Sequence, residues 1–101
     1  MFSITDYLVT VGRGAKEAYV NAKEISTSWK MQYNKPAKLL NTKKYIIVDK
    51  NVYPSVSDAL NNIDQVKLSD FGFTEKIAAC YILTDNRYLF ISFEKDNSLY
   101  E

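Results

Sequence analysis

Histidine is absent and Cys80 is the only cysteine. Cys/His zinc sites, Ser-His and Cys-His nucleophilic systems and imidazole general bases are therefore excluded. Carboxylate, lysine and tyrosine chemistry remains. Asp85, Glu94 and Asp96 could approach a cation, but their spacing matches no calcium-loop geometry, and acids are ordinary in turns. Cys80 sits in an apolar run with Ala78 and Ile82 and reads as a small buried hydrophobe rather than a reactive thiol. Asp70-Phe71-Gly72 spells a kinase triplet in a chain of 101 residues, too short for that fold. The expectation is a non-enzymatic protein with no catalytic residue, metal, cofactor or small-molecule ligand.

The residues best suited to binding form a stripe near the start. Ile4, Leu8, Val11, Ala15, Ala18, Ala22, Ile25 and Trp29 are separated alternately by four and three positions, the spacing that keeps one side chain per turn facing a single partner. A helix from Ile4 to Gln32 would be ~43 Å long, more than the ~26 Å diameter of a compact domain of this size. Part of the stripe would then need cover from another molecule. Leu8, Val11, Ala15, Ala18, Ala22 and Trp29 are the expected protein contacts, with Trp29 as anchor, since buried tryptophans dominate interfaces.

Tyr81, Tyr88 and Phe90 form a second candidate surface. They could stack bases, as RNA-binding sheets do, but no Arg- or Gly-rich companion accompanies them. They fit better as cross-strand packing and protein contact. The alternative reading is nucleic-acid binding through Lys30, Lys35, Lys38, Lys43, Lys44 and Lys50, which surround the link between the first helix and the first strand.

The elements that would carry these residues are legible in outline. Ser3 with Asp6 is an S-x-x-D helix start, and Pro36 ends the helix by about Asn34. Gly12 and Gly14 leave that helix either continuous or broken. Lys44–Asp49 reads as a buried strand and Lys50-Asn51 as a tight turn. Ser55 and Asp58 start a short helix with Val56, Ala59, Leu60 and Ile63 on its apolar side. The string Val52–Leu60 resembles the turn-and-helix start of the modular DNA-binding repeats behind homing-endonuclease catalytic domains. It lacks the small turn and second helix of those repeats, and no site is carried over. In Asp64–Glu75, Val66 and Leu68 alternate as a strand would, and Gly72 between two phenylalanines marks a turn.

Lys76–Thr84 and Arg87–Lys95 flank Asp85-Asn86, residue types that tolerate positive φ in a two-residue hairpin turn. That turn pairs Leu83 with Tyr88 and Tyr81 with Phe90. Both faces of the hairpin are then apolar, so something must cover each. The fold expected is α+β: a long N-terminal helix, a short central helix and a small antiparallel sheet ending in a C-terminal hairpin. Residues 1–101 form one domain, with 1–34 a helical arm and 44–101 a small body.

Composition sets the remaining bounds. The net charge of +1 conceals nine basic residues against Glu17, Glu24 and Asp49 between Gly12 and Lys50, and an acidic excess from Asn51 onward. Such halves could dock onto each other or onto other copies. No apolar run approaches the ~20 residues that cross a bilayer, and the N-terminus lacks the sections of a signal peptide. A cytoplasmic protein, or one of a virion if phage-encoded, is expected. Lysine, asparagine and tyrosine enrichment fits an AT-rich genome. The function these features favour is protein binding, as a phage-type assembly component or a stoichiometric inhibitor, with self-association.

Overall fold

Residues 2–33, 39 and 42–95 are described by a computed structural model, the side chains of 29–33, 65 and 95 excepted. The long N-terminal helix is not there. Phe2–Val11 forms strand β1, and helix α1 begins only at Ala15 and runs to Tyr33. β1 carries Ile4, Thr5, Val9, Thr10 and Val11, and the stiff χ1 of β-branched side chains favours extended backbone. Gly12-Arg13-Gly14 turns the strand into α1. A Cβ at Gly12 would stand 2.6 Å from the Ala18 nitrogen, so the strand can cross under the helix only with glycine there. The heptad spacing thus joined two elements of different period by coincidence.

Strand β2 spans Lys44–Tyr53, helix α2 Val56–Asn61, helix α3 Gln65–Asp70, strand β3 Ile77–Leu83 and strand β4 Arg87–Lys95. The sheet order is β1-β4-β3-β2. β4 is antiparallel to both β1 and β3, whereas β2 and β3 are parallel. The sheet is therefore mixed and not antiparallel. Its parallel pair follows from α2 and α3, which carry the chain from the end of β2 back to the start of β3.

α2 starts as its sequence implies, with the Asp58 N–H donating to Ser55 Oγ at 3.2 Å. Gln65–Asp70 is helical where alternation suggested a strand. Asp64 caps it, accepting from the Val66 and Lys67 N–H groups at 2.9 and 3.3 Å. Gly72 then takes a φ of 69°, between Phe71 and Phe73, whose rings lie 6.0 Å apart. Lys50-Asn51 is not a turn between strands. It lies inside β2, whose register against β3 shifts twice, between Ile47 and Asp49 and between Asp49 and Val52.

The hairpin forms, but one residue out of the expected register. Tyr81 stands opposite Leu89 and Cys80 opposite Phe90. Asp85 and Asn86 both have positive φ, at 63° and 57°, while the Thr84 N–H bonds the Tyr53 carbonyl of β2 at 3.1 Å. A slip of one exchanges every side chain between faces. Ala79, Tyr81 and Leu83 consequently share a face with Leu89, Ile91 and Phe93, under α2 and α3. Ala78 and Cys80 share the other with Phe90 and Tyr88, under α1. Each face has its own cover, giving three layers with the sheet in the middle.

α1 meets the sheet through small residues. Ala18 and Ala22 are wholly buried, with Ala15 and Tyr19 beside them. Thr10 Oγ1 donates to the Ala18 carbonyl at 2.7 Å, fixing β1 beneath the helix. Tyr19 adds ring contacts to Tyr45 and Phe90 at 5.0 and 5.3 Å.

Candidate functional site

Most of the expected binding residues are spent inside the fold. Ala18, Ala22 and Phe90 are 0 % exposed and Tyr81 is 1 % exposed, so none presents surface to a partner. Tyr81 and Phe90 also lie on opposite faces of the sheet, and Tyr88 is half-buried beside Phe90. Leu8 and Ala15 are half-buried against the α1 core. Trp29 lies in α1, but its side chain is outside the described residues, as is that of Lys30; Lys35 and Lys38 lie outside them altogether. Lys43 and Lys44 are exposed at the start of β2, and Lys50 is exposed in its bulged half. Six residue steps along the strand, ~20 Å of extended chain, separate Lys44 from Lys50, so the structure does not gather them into one patch.

Of the expected contacts whose side chains are described, Val11 alone stays well exposed, at 60 %. It belongs to a set that periodicity of two would have found. Tyr7, Val9 and Val11 share the sheet face opposite α1, since their neighbours Leu8 and Thr10 turn toward that helix. α2 and α3 shield the far side of the sheet, with α2 against β2; on β1 only Phe2 and Val9 pack against that core, and Ile4, Tyr7 and Val11 stay largely uncovered. Ile4 and Tyr7 are accordingly 43 % and 48 % exposed.

The backbone of the same residues also faces outward. The Gly12 N–H donates to the Asn86 carbonyl at 3.2 Å, which sets the phase of the β1–β4 ladder. Antiparallel alternation then directs the N–H and C=O groups of Thr10 and Leu8 to β4, and those of Val11, Val9 and Tyr7 away from it. Asn21 supports this assignment. Its Nδ2 reaches from α1 to the outward Val11 carbonyl at 2.9 Å. Between strand edge and helix lies a groove of about 410 Å³, lined by Val9, Thr10, Val11, Asn21, Glu24 and Ile25.

The two sheet edges differ in how they meet solvent. β2 is bulged twice and exposes Lys44 and Lys50, devices that discourage strand addition. β1 has one irregularity, between Ile4 and Asp6, and no basic residue. Its single charge, Asp6, faces the Leu39 N–H at 3.5 Å. Most of β1 is therefore a regular, uncharged and partly apolar edge.

Titratable groups elsewhere have local explanations. Asp49 accepts from the Tyr53 hydroxyl at 2.6 Å and the Asn51 N–H at 2.9 Å, bonds that hold its carboxyl below the usual range. Tyr81 packs its ring on Tyr53 at 5.8 Å, and burial pushes its phenol up to about 12. Lys23 donates to the Thr42 carbonyl, and burial lowers its pKa. Burial likewise pushes the Cys80 thiol up to about 12. Among the described residues no three acids or cysteines gather to hold a metal ion, and no helix is long and apolar enough to cross a membrane.

No family model, no curated protein and no solved structure matches this chain.

Proposed function

We propose that this is a non-enzymatic protein-binding protein whose contact surface is the β1 edge, acting as an assembly component or a stoichiometric inhibitor. The observation that supports this most directly is the pairing of outward backbone groups at Tyr7, Val9 and Val11 with the exposed side chains of Tyr7 and Val11. An extended segment added there gains main-chain hydrogen bonds from the edge and specificity from alternate side chains. The α1 wall of the groove supplies a second contact through Ile25 and Glu24. The heptad rod and the hairpin aromatics give way to this edge as the binding surface.

The test compares two lysine substitutions at exposed valines, one per edge. Val11→Lys on β1 should weaken capture of protein partners from the native source by about tenfold, ~1.4 kcal/mol, with an unchanged unfolding midpoint. Val52→Lys on β2 should leave capture intact. Equal loss from both variants, or from neither, would remove the β1 edge as the contact surface.

A further inference from the structure

We infer that the occupant of the β1 edge is the β1 strand of a second copy of this chain, paired antiparallel about a two-fold axis at Val9. The inference rests on the edge-binding reading and names its partner.

The strand is complementary to itself in that register. Tyr7, Val9 and Val11 are the residues whose backbone groups face outward, and they are spaced evenly about Val9. A two-fold axis there sets Val9 against the partner's Val9 and Tyr7 against the partner's Val11. Every outward N–H from Tyr7 to Val11 then finds a carbonyl. The Val11 carbonyl, already bonded by Asn21, has a second lone pair for the partner's Tyr7. The same pairing brings together side chains that are 48 % and 60 % exposed at Tyr7 and Val11, on either side of the half-buried Val9.

Charge is consistent with a second copy. The paired stretch carries no charged residue from Tyr7 to Val11, so the strand itself does not repel its own image. Asp6 falls opposite the partner's Gly12. Among the described residues Glu24 is the one charged side chain lining the groove, and it stands on the helix wall rather than on the strand.

The helices also fit. α1 packs over β1 and β4, so its axis runs about half a strand spacing inside the edge. Two sheets joined at ~4.8 Å carry their helices about 10 Å apart, an ordinary helix-packing distance. Asn21 and Ile25 of α1, which line the groove beside Val9 and Val11, are the helix residues nearest that seam.

Light scattering from micromolar to millimolar protein should show a mass rising from 11.6 kDa toward twice that value, and Val11→Lys should hold it at the monomer. Cysteine pairs then fix the register, because the buried Cys80 is silent. Directly opposed residues at a hydrogen-bonded site are ~5.5 Å apart between Cα atoms, within disulfide range. Tyr7→Cys mixed with Val11→Cys should cross-link on mild oxidation, and neither variant should do so alone. A monomer at every concentration overturns the inference, as does a dimer that cross-links through Val52→Cys and not through the mixture. A monomer that still captures other proteins through Val11 overturns the second copy while leaving the edge reading intact.

Discussion

The Tyr53 hydroxyl donates to Asp49 Oδ2 at 2.6 Å, closing the stretch of β2 where the register slips against β3. The bond binds the two residues to one pH dependence. Asp49 is held below the ordinary carboxylate range, first by Tyr53 and then by the Asn51 N–H. A depressed folded-state pKa contributes stability that is present above the unfolded value of ~3.9 and is lost as pH falls through the folded one. Tyr53→Phe should therefore flatten the acid limb of a stability–pH curve measured by urea unfolding between pH ~6 and ~2. An acid limb as steep as in the wild type would mean that the Tyr53 bond does not set the Asp49 pKa.

The junction between β1 and α1 gives a sharper mutational contrast. A Cβ at Gly12 would lie 2.6 Å from the Ala18 nitrogen and 3.0 Å from its Cα, whereas one at Gly14 meets nothing within 4 Å. Backbone atoms cannot swing aside as a side chain can. Gly12→Ala should cost about 1–3 kcal/mol, the range of an overpacked core. Gly14→Ala should stay within about 1 kcal/mol of wild type, with lost chain entropy and the poorer alanine cap in opposition. Equal losses at the two sites would show that the close crossing of strand and helix does not persist in solution.

What the sequence disclosed depended on how local the signal was. Ser55 with Asp58, the β-branched Lys44–Asp49 run and the Asp85-Asn86 turn each act within a few residues, and each marks a real element. The β1 error arose where two periods overlap. Ile4, Leu8 and Val11 fit a helical spacing, and nothing local outweighs it except the β-branched content of the strand. The hairpin slip had a distant cause, since the Thr84 N–H is claimed by Tyr53, thirty-one positions away in sequence, and not by β4. The binding edge was hidden for the same reason. Which side of β1 faces water depends on β4 taking the other side, and on α2 and α3 stopping short of it.

Cys80 reports on opening of the core. It is 0 % exposed in the α1-side core, opposite Phe90, and burial pushes its thiol up to about 12. Both facts oppose attack on a thiol reagent, because the thiolate is the nucleophile. Labelling of the native protein at neutral pH should be slower than that of the urea-unfolded chain by orders of magnitude, and its rate should track global unfolding. Fast labelling under native conditions would show that α1 lifts from the sheet without unfolding the rest.

Tyr81 tests whether a polar atom in the core under α2 and α3 helps to hold the fold. Its hydroxyl is buried and has no hydrogen-bond partner among the described residues, while its ring packs on Tyr53 at 5.8 Å. A buried donor without a partner costs about 1–3 kcal/mol, and replacing it by an apolar group of the same shape is neutral or stabilising. Tyr81→Phe keeps the ring and removes the hydroxyl, so the urea midpoint should hold or rise, by up to about 1 kcal/mol of stability. Tyr81→Leu loses the ring contact as well and should fall by about 1–3 kcal/mol through imperfect filling of the site. The contrast with Tyr53 is direct. There the hydroxyl has Asp49 as its partner, and Tyr53→Phe should lose stability at neutral pH while Tyr81→Phe does not. A loss above about 1 kcal/mol on Tyr81→Phe would mean that the phenol is bonded in solution, and Asp49 and Asp64, whose charges reach it, would be the first groups to replace in search of that bond.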